Sequence, residues 1–120
     1  MSILAQFMVA LVALIHLCIF WIEAFAWETA GPKAFPSMPR ALFGSTKVMA
    51  ANQGVYNGFL AAGLIWSLLI QNAAWSANVG LFFLACVAVA GVVGALTVDR
   101  KILFIQMVPA VVGIALILLR

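Results

Sequence analysis

The sequence places a histidine and a glutamate inside one long apolar run. His16 and Glu23 are seven residues apart; Phe20 lies between them and Trp27 follows. On a helix with about 100° per residue, these four side chains share a stripe roughly 60° wide. A carboxyl group withdrawn from water can act as an acid or a base, and a histidine can relay a proton. Aromatic rings can stack on an apolar or cationic group, so the stripe indicates proton handling or ligand binding.

A second group of polar side chains opens the second apolar run. Its four hydrogen-bonding members fall within six residues: Asn52, Gln53, Tyr56 and Asn57. On a helix they form two adjacent stripes, because residues four apart lie on the same face. The carboxamides can orient a carbonyl or hydroxyl group, and the phenol can donate a hydrogen bond to developing charge. Gln106, in the last apolar run, offers one more carboxamide.

These observations define the candidate site. The catalytic candidates are Glu23, His16 and Tyr56, and the ligand-binding candidates are Phe20, Trp27, Asn52, Gln53, Asn57 and Gln106. Plainer roles stay open for each of them: a hydrogen-bonded histidine between helices, an interfacial carboxylate, a tryptophan anchor or amides that only join helices. The sequence contains no phosphate-binding loop, nucleophile–base pair or metal-ligand set, so we expect no metal and no cofactor.

Composition identifies the elements that must position these residues. Of 120 residues, 68% are hydrophobic and 8% are charged, against about 25% charged in a soluble domain. So few charges exclude a disordered chain and a water-facing globular surface. The net charge of +3 comes from scattered basic residues, which excludes a nucleic-acid module. The partner implied is a lipid bilayer.

Four apolar runs approach the roughly 20 residues that a membrane-crossing helix needs. They predict helices at about 2–26, 48–70, 79–98 and 102–119, which gives an all-α, four-helix transmembrane bundle in a single domain over 1–120. Pro109 is expected to kink the last helix, and residues 39–44 are expected to form a short helix in the first connector. The chemical candidates lie toward one end of this bundle, which predicts one polar cavity with His16 near its floor.

Charge asymmetry predicts the orientation. Five basic residues lie in or beside the first and third connectors: Lys33, Arg40, Lys47, Arg100 and Lys101. Only Arg120 falls on the other side. Basic residues accumulate in cytoplasmic loops, so both termini are expected outside the bacterial inner membrane and the cavity is expected to face the cytoplasm. Small residues at Gly54/Gly58 and Gly91/Gly94 would let helices approach closely, within the chain or between copies in a homo-oligomer.

The order of these residues resembles a known family. It runs His16, Glu23, Trp27, then N-Q-G-x-Y-N-G-x-L-A over 52–61, G-x-x-G-A-x-T over 91–97, Gln106 and Pro109-Ala110. The pattern is similar to that of the small bacterial integral membrane proteins called domain of unknown function 1304. The resemblance covers nearly the whole chain, and N-Q-G-x-Y-N is its most specific part. It implies a four-helix inner-membrane protein and carries over no activity.

Three functions therefore stay open. The first is a membrane protein whose polar cavity binds or processes a small lipophilic molecule, with or without catalysis. The second is a small proton-coupled transporter or exporter that works as an oligomer, because one four-helix protomer is thin for a pathway. The third is a structural or accessory subunit whose polar groups only connect helices. Substitution of Glu23 by Gln separates them, because it keeps the shape and removes the titrating proton.

Overall fold

A computed structural model describes residues 1–119, so Arg120 and the prediction made for it lie outside the described residues. Its elements are α1 (Ile3–Phe25), α2 (Gly31–Ala34), α3 (Leu42–Ser45), α4 (Lys47–Leu69), α5 (Ala73–Thr97), a π-helical turn (Leu103–Met107) and α6 (Val108–Leu118). No strand occurs between residues 1 and 119. The all-helical class predicted from the sequence is confirmed.

The long helices pack in a closed order. Helix α1 lies against α4 and α6, and α5 lies against α4, the π-helical turn and α6. An apolar core fills the space between them, with Val9 and Val12 from α1, Leu64 from α4, Leu84 from α5 and Ile117 from α6. The molecule measures 47 × 23 × 17 Å. The long axis exceeds the roughly 30 Å hydrocarbon core of a bilayer.

Helix α5 begins at Ala73, six residues before the predicted start at Val79. The side chain of Asn72 caps it by accepting a hydrogen bond from the backbone N–H of Trp75 at 3.0 Å. The Ser76 hydroxyl donates to the Ser67 carbonyl oxygen of α4 at 2.7 Å. The prediction was wrong because it followed apolar residues alone, whereas a cap and a buried hydroxyl extend the helix through a polar stretch.

Pro109 is the second residue of α6 and directly follows a turn of irregular helix. It has no N–H to bond the carbonyl of Ile105, and the preceding turn is π-helical, with the Val108 N–H donating to the Leu103 carbonyl. The turn also approaches α5 closely. A Cβ atom added to Gly91 would lie 2.8 Å from the Met107 nitrogen, so only glycine allows this contact.

The first connector forms a small aromatic cluster of its own. The ring of Trp27, which is 9% exposed, lies 4.8 Å from the Phe43 ring and 5.6 Å from the Phe35 ring. The Trp27 Nε1–H donates to the Thr46 hydroxyl at 2.9 Å. The short helix here begins at Leu42, because residues 39–41 form a turn instead of the predicted helix over 39–44.

The first and third connectors meet at the same end of the molecule. The Ser37 hydroxyl donates to Asp99 Oδ2 at 2.8 Å, and the Lys101 backbone N–H donates to Asp99 Oδ1 at 2.9 Å. We call residues 26–46 and 98–102 the connector end. Lys47, at the start of α4, pairs with the exposed Glu28 across 3.4 Å.

Two of the helices described, α1 and α5, are long and apolar enough to cross a membrane. Helix α4 has 23 residues but contains the polar group of residues 52–57. Helix α6 has 11 residues, and the π-helical turn adds five before it.

Candidate functional site

Glu23 is buried between α1 and α4, with 3% of its surface exposed. Each carboxylate oxygen accepts one hydrogen bond from an amide of α4. Gln53 Nε2 donates to Oε2 at 3.0 Å, and Asn57 Nδ2 donates to Oε1. The structure therefore brings together three of the predicted site residues, since Gln53 and Asn57 lie 30 and 34 positions after Glu23 in the chain.

Gly54 explains how these side chains meet. A Cβ atom at this position would lie 3.0 Å from the Ala24 nitrogen and 3.2 Å from the Phe20 carbonyl oxygen. The backbones of α1 and α4 are therefore nearly in contact, and the amides of residues 53 and 57 reach Glu23 from one side of this contact. The ring of Phe20 lies over Gly58, with its nearest atom 3.4 Å from the position of an added Cβ.

His16 forms a second, separate group. It is fully buried, and its Nδ1 lies 2.8 Å from the Val12 carbonyl oxygen. Because a carbonyl only accepts, Nδ1 carries the proton, and Nε2 of the neutral ring is then an acceptor. Gln106 Nε2 lies 3.5 Å from His16 Nε2 and supplies a donor. Since His16 and Glu23 lie about 10 Å apart along α1, they form two hydrogen-bonded groups and not the lining of one described cavity.

Asn52 and Tyr56 lie on a different face of α4 from Gln53 and Asn57, the two residues that bond Glu23. They share a stripe with Gly63 and Ser67, at spacings of four, seven and four residues. Helix α5 covers this stripe at Gly63, against the ring of Phe83, and at Ser67. It leaves Asn52 exposed and Tyr56 60% exposed. Tyr56 contacts the Phe59 ring edge-on at 5.9 Å.

Trp27 does not join the other candidates. It lies beyond the end of α1, and its indole belongs to the connector cluster already described. Sequence reasoning extended the helical stripe by four residues, past the point where the helix ends. An aromatic-rich connector with Phe35 and Phe43 was the signal for this placement.

The glycine faces are used within the chain. Gly54 faces α1, and an added Cβ at Gly94 would lie 2.9 Å from Ile102. Gly91 faces the π-helical turn. These three glycines pack segments of the same protomer against one another, and Gly54 and Gly91 are buried by those contacts.

Asp99 also has a role that sequence reasoning missed. The Ser37 hydroxyl of the first connector donates to its carboxylate and so joins the two connectors, while the Lys101 backbone N–H donates to it within the third connector. The Lys101 backbone N–H, followed by the Ser37 hydroxyl, holds the pKa of Asp99 below its ordinary value. Nothing in the local sequence indicates this contact, because its partners are 62 residues apart.

Two shallow surface grooves lie outside the candidate site. One, of about 320 Å³, is lined by Trp66, Trp75, Asn78, Val79, Phe82 and Phe83. The other, of about 290 Å³, is lined by Ala88, Val89, Val92, Val93, Met107 and Val111. Neither includes a predicted site residue. Across the described chain, no three His, Cys, Asp or Glu side chains are grouped closely enough to hold a metal ion.

Comparison with known proteins gives a family without an assigned activity. The family model described as "Protein of unknown function (DUF1304)" matches residues 10–118. An uncharacterized protein, YpaA, from Lactococcus lactis subsp. lactis (strain IL1403) is 28% identical over 108 residues, covering 88% of this chain and 89% of that protein. No solved structure matches the chain. With nearly its whole length matched, this chain belongs to the DUF1304 family.

Proposed function

We propose that this chain is a multi-pass membrane protein that binds a small, mostly apolar molecule at Glu23. One observation carries the proposal: a buried carboxyl group is held by two neutral amides whose own side chains reach the surface of α4. Gln53 is exposed and Asn57 is partly exposed. The polar end of a ligand could therefore reach these amides without unfolding the helix pair.

Exposed apolar side chains support the membrane setting. On α1, Ile3 is 86% exposed, Phe7 65% and Phe25 72%. Only 28% of the apolar stretch of α1 is buried, and 22% of that of α5. A helix of this composition in a soluble protein would be mostly buried, because monomers rarely expose apolar patches above a few hundred Å². Lipid is the solvent that suits such a surface.

We extend the placement in a lipid bilayer from α1 and α5 to α4 and α6. Both helices pack against α1 and α5 in antiparallel succession, so they occupy the same depth in a bilayer. The 23 residues of α4 span about 34 Å. The π-helical turn and α6 are shorter, and their exposed Phe104 and Leu118 extend the apolar surface. This gives a four-helix transmembrane bundle.

Charge supports the orientation. The five described Lys and Arg residues are exposed in or beside the connectors. The positive-inside rule puts this end in the cytoplasm of a bacterial inner membrane, with both termini outside. Glu23 then lies near the cytoplasmic interface, where a ligand can enter from the inner leaflet.

The proposal is tested with two fluorescent probes of equal chain length, a long-chain alcohol and a long-chain primary amine bearing the same dansyl group. Purified protein in nanodiscs should bind at least one of them saturably. Asn57→Ala removes a donor to Glu23 and should weaken this binding about tenfold or more. Asn78→Ala makes the same change at an exposed position of α5, far from Glu23, and should leave binding unchanged. Equal binding by both variants, or no saturable binding of either probe, would refute the proposal.

A proton-coupled transporter is the second candidate. It is favoured by the position of Glu23, which is the only buried acidic side chain between residues 1 and 119. In sealed vesicles, Glu23→Gln should stop proton-driven movement of the probe that binds. If binding is kept and no movement occurs in wild type, transport is excluded. The structural alternative, a subunit with no ligand, instead predicts that single site substitutions have no effect on any probe.

A further inference from the structure

The charge balance around Glu23 points to the kind of ligand it takes. All five basic residues described are exposed at or beside the connector end. The one ion pair that the described residues form joins Lys47 to Glu28, not to Glu23. Glu23 is therefore a buried carboxyl group whose partners are two neutral amides. A buried carboxylate lacks charge compensation in such a setting, and an incoming cation would supply it.

Hydrogen-bond capacity at this carboxyl group is only half used. A carboxylate has about four acceptor positions, and Glu23 fills two of them with Gln53 and Asn57. An ammonium group has three donors in a compact head and forms charge-assisted hydrogen bonds, which are about twice as strong as neutral ones. It can therefore compete with a neutral amide for the same oxygen.

Gln53 is the partner that a ligand can replace. Its amide bonds Glu23 Oε2 at 3.0 Å, yet the residue as a whole is exposed. Asn57 is less exposed, and its amide also donates to the backbone carbonyl oxygen of Gln53 at 3.4 Å. Rotation of the long Gln53 side chain would open one carboxylate oxygen while Asn57 stays bound to the other.

The surroundings suit an apolar chain attached to that ammonium. Phe20, three residues before Glu23 on α1, packs edge-on against the Phe25 ring at 5.6 Å. Aromatic faces attract alkylammonium groups as well as hydrocarbon.

From these contacts we infer that the ligand is a primary or secondary amine carrying an apolar chain. Its ammonium group displaces the Gln53 amide from Glu23 Oε2, while Asn57 holds Oε1. The inference rests on the proposed function and names the ligand class of the same site.

The two dansyl probes test this inference through their difference in affinity. Wild type should bind the amine about tenfold or more tightly than the alcohol. Glu23→Gln should remove that preference, and Glu28→Gln, the same change at an exposed carboxyl group, should keep it. Gln53→Ala should strengthen amine binding a few-fold, because it removes the internal competitor.

A reaction on the wild-type protein avoids dependence on a variant that fails to fold. Dicyclohexylcarbodiimide adds to the carboxyl group of Glu23 to give an N-acylurea, which mass spectrometry locates. Bound amine should slow this labelling and the alcohol should not. Equal protection by both probes, or an amine preference that survives Glu23→Gln, would overturn the assignment of an amine. If only the alcohol binds and depends on Asn57, the proposed function stands and the amine is rejected; if neither probe binds, both fail.

Discussion

The two ends of α4 handle buried polar groups in opposite ways. At the end near α5, Ser67 and Ser76 are buried and their hydroxyls donate to backbone carbonyls, at 2.6 Å for Ser67 and 2.7 Å for Ser76. Nothing there is charged, and each hydroxyl donor has a backbone partner. At the other end of α4, next to the connector end, the bonds join side chain to side chain and include the carboxyl group of Glu23.

This difference separates packing from binding. Hydroxyls that bond backbone carbonyls fix two helices and need no further partner. A carboxyl group beside two amides, with Asn52 and Tyr56 uncovered on the next stripe, exceeds what helix association requires. The end of α4 next to the connector end therefore carries the residues suited to ligand recognition, and the opposite end carries hydrogen bonds that stabilise the packing of α4 and α5. Each of the following substitutions tests that division.

The largest effect is expected at Gly54, because its contact with α1 both packs the two helices and brings Gln53 and Asn57 to Glu23. Gly54→Val inserts atoms against the backbone of α1, and we expect a loss of about 3 kcal/mol in the free energy of unfolding. Probe binding should be lost as well, because α1 and α4 separate. Thermal unfolding in detergent measures the first effect. Gly63→Val is the control: the three atoms nearest to an added Cβ there belong to the ring of Phe83, a side chain that can turn, so a Tm drop as large as that of Gly54→Val would contradict the distinction.

Glu23→Met should separate binding from stability. A buried carboxyl group without a cationic partner is costly to keep from water, so an apolar side chain of similar length should leave the protein as stable or stabilise it by about 1 kcal/mol. We expect the Tm to stay or rise while saturable binding disappears. Unfolding curves and probe titrations on the same sample check both. A fall in Tm equal to that of Gly54→Val would mean that Glu23 serves packing.

Ser76→Ala should show the converse behaviour at the other end. It removes the donor to the Ser67 carbonyl, which we expect to cost about 1 kcal/mol of stability. Binding of either probe should be unchanged, since the site lies at the opposite end of α4. The matched control is Ser45→Ala. Ser45 is exposed, and its hydroxyl donates to the Leu42 carbonyl oxygen at 3.2 Å. Weakened probe binding in Ser76→Ala would break the separation.

The smallest effect concerns the pH dependence of the connectors. Two hydrogen bonds lower the pKa of Asp99 relative to the unfolded chain. Its contribution to stability is therefore fully present above the ordinary Asp pKa of about 4 and is lost as pH falls through the lower folded pKa. Asp99→Asn should remove this acid-range loss. Hydrogen exchange of residues 98–102 as a function of pH measures it; identical profiles for wild type and variant would reject the role.

Much of the site geometry follows from residue spacing, and the remainder depends on long-range contacts. Helical phase correctly gathers His16, Phe20 and Glu23 on the inner side of α1, since these positions are buried or partly buried. The same phase applied to α4 separates Asn52 and Tyr56 from Gln53 and Asn57. It does not tell which stripe faces α1, because that depends on the backbone contact at Gly54.

Failures of the sequence analysis have two physical causes. Hydrophobic runs do not report caps, so they do not reveal the start of α5 at Ala73, which Asn72 caps. Connector structure depends on contacts between distant residues, such as Trp27 with Phe43 and Ser37 with Asp99. In the first connector such contacts build a small core around Trp27.

The π-helical turn before α6 has a consequence for how the chain can change in length. Such a turn holds one residue more than an α-helical turn. Deleting one residue there would let the segment become regular α-helix without turning the residues before and after it, because the wide turn had absorbed the extra residue; Gln106, inside the turn, would shift by up to about 100° around the helix axis. Gln106 would then point away from His16. Family members shortened by one residue at this turn are therefore expected to have exchanged the amide partner of the histidine for a different one.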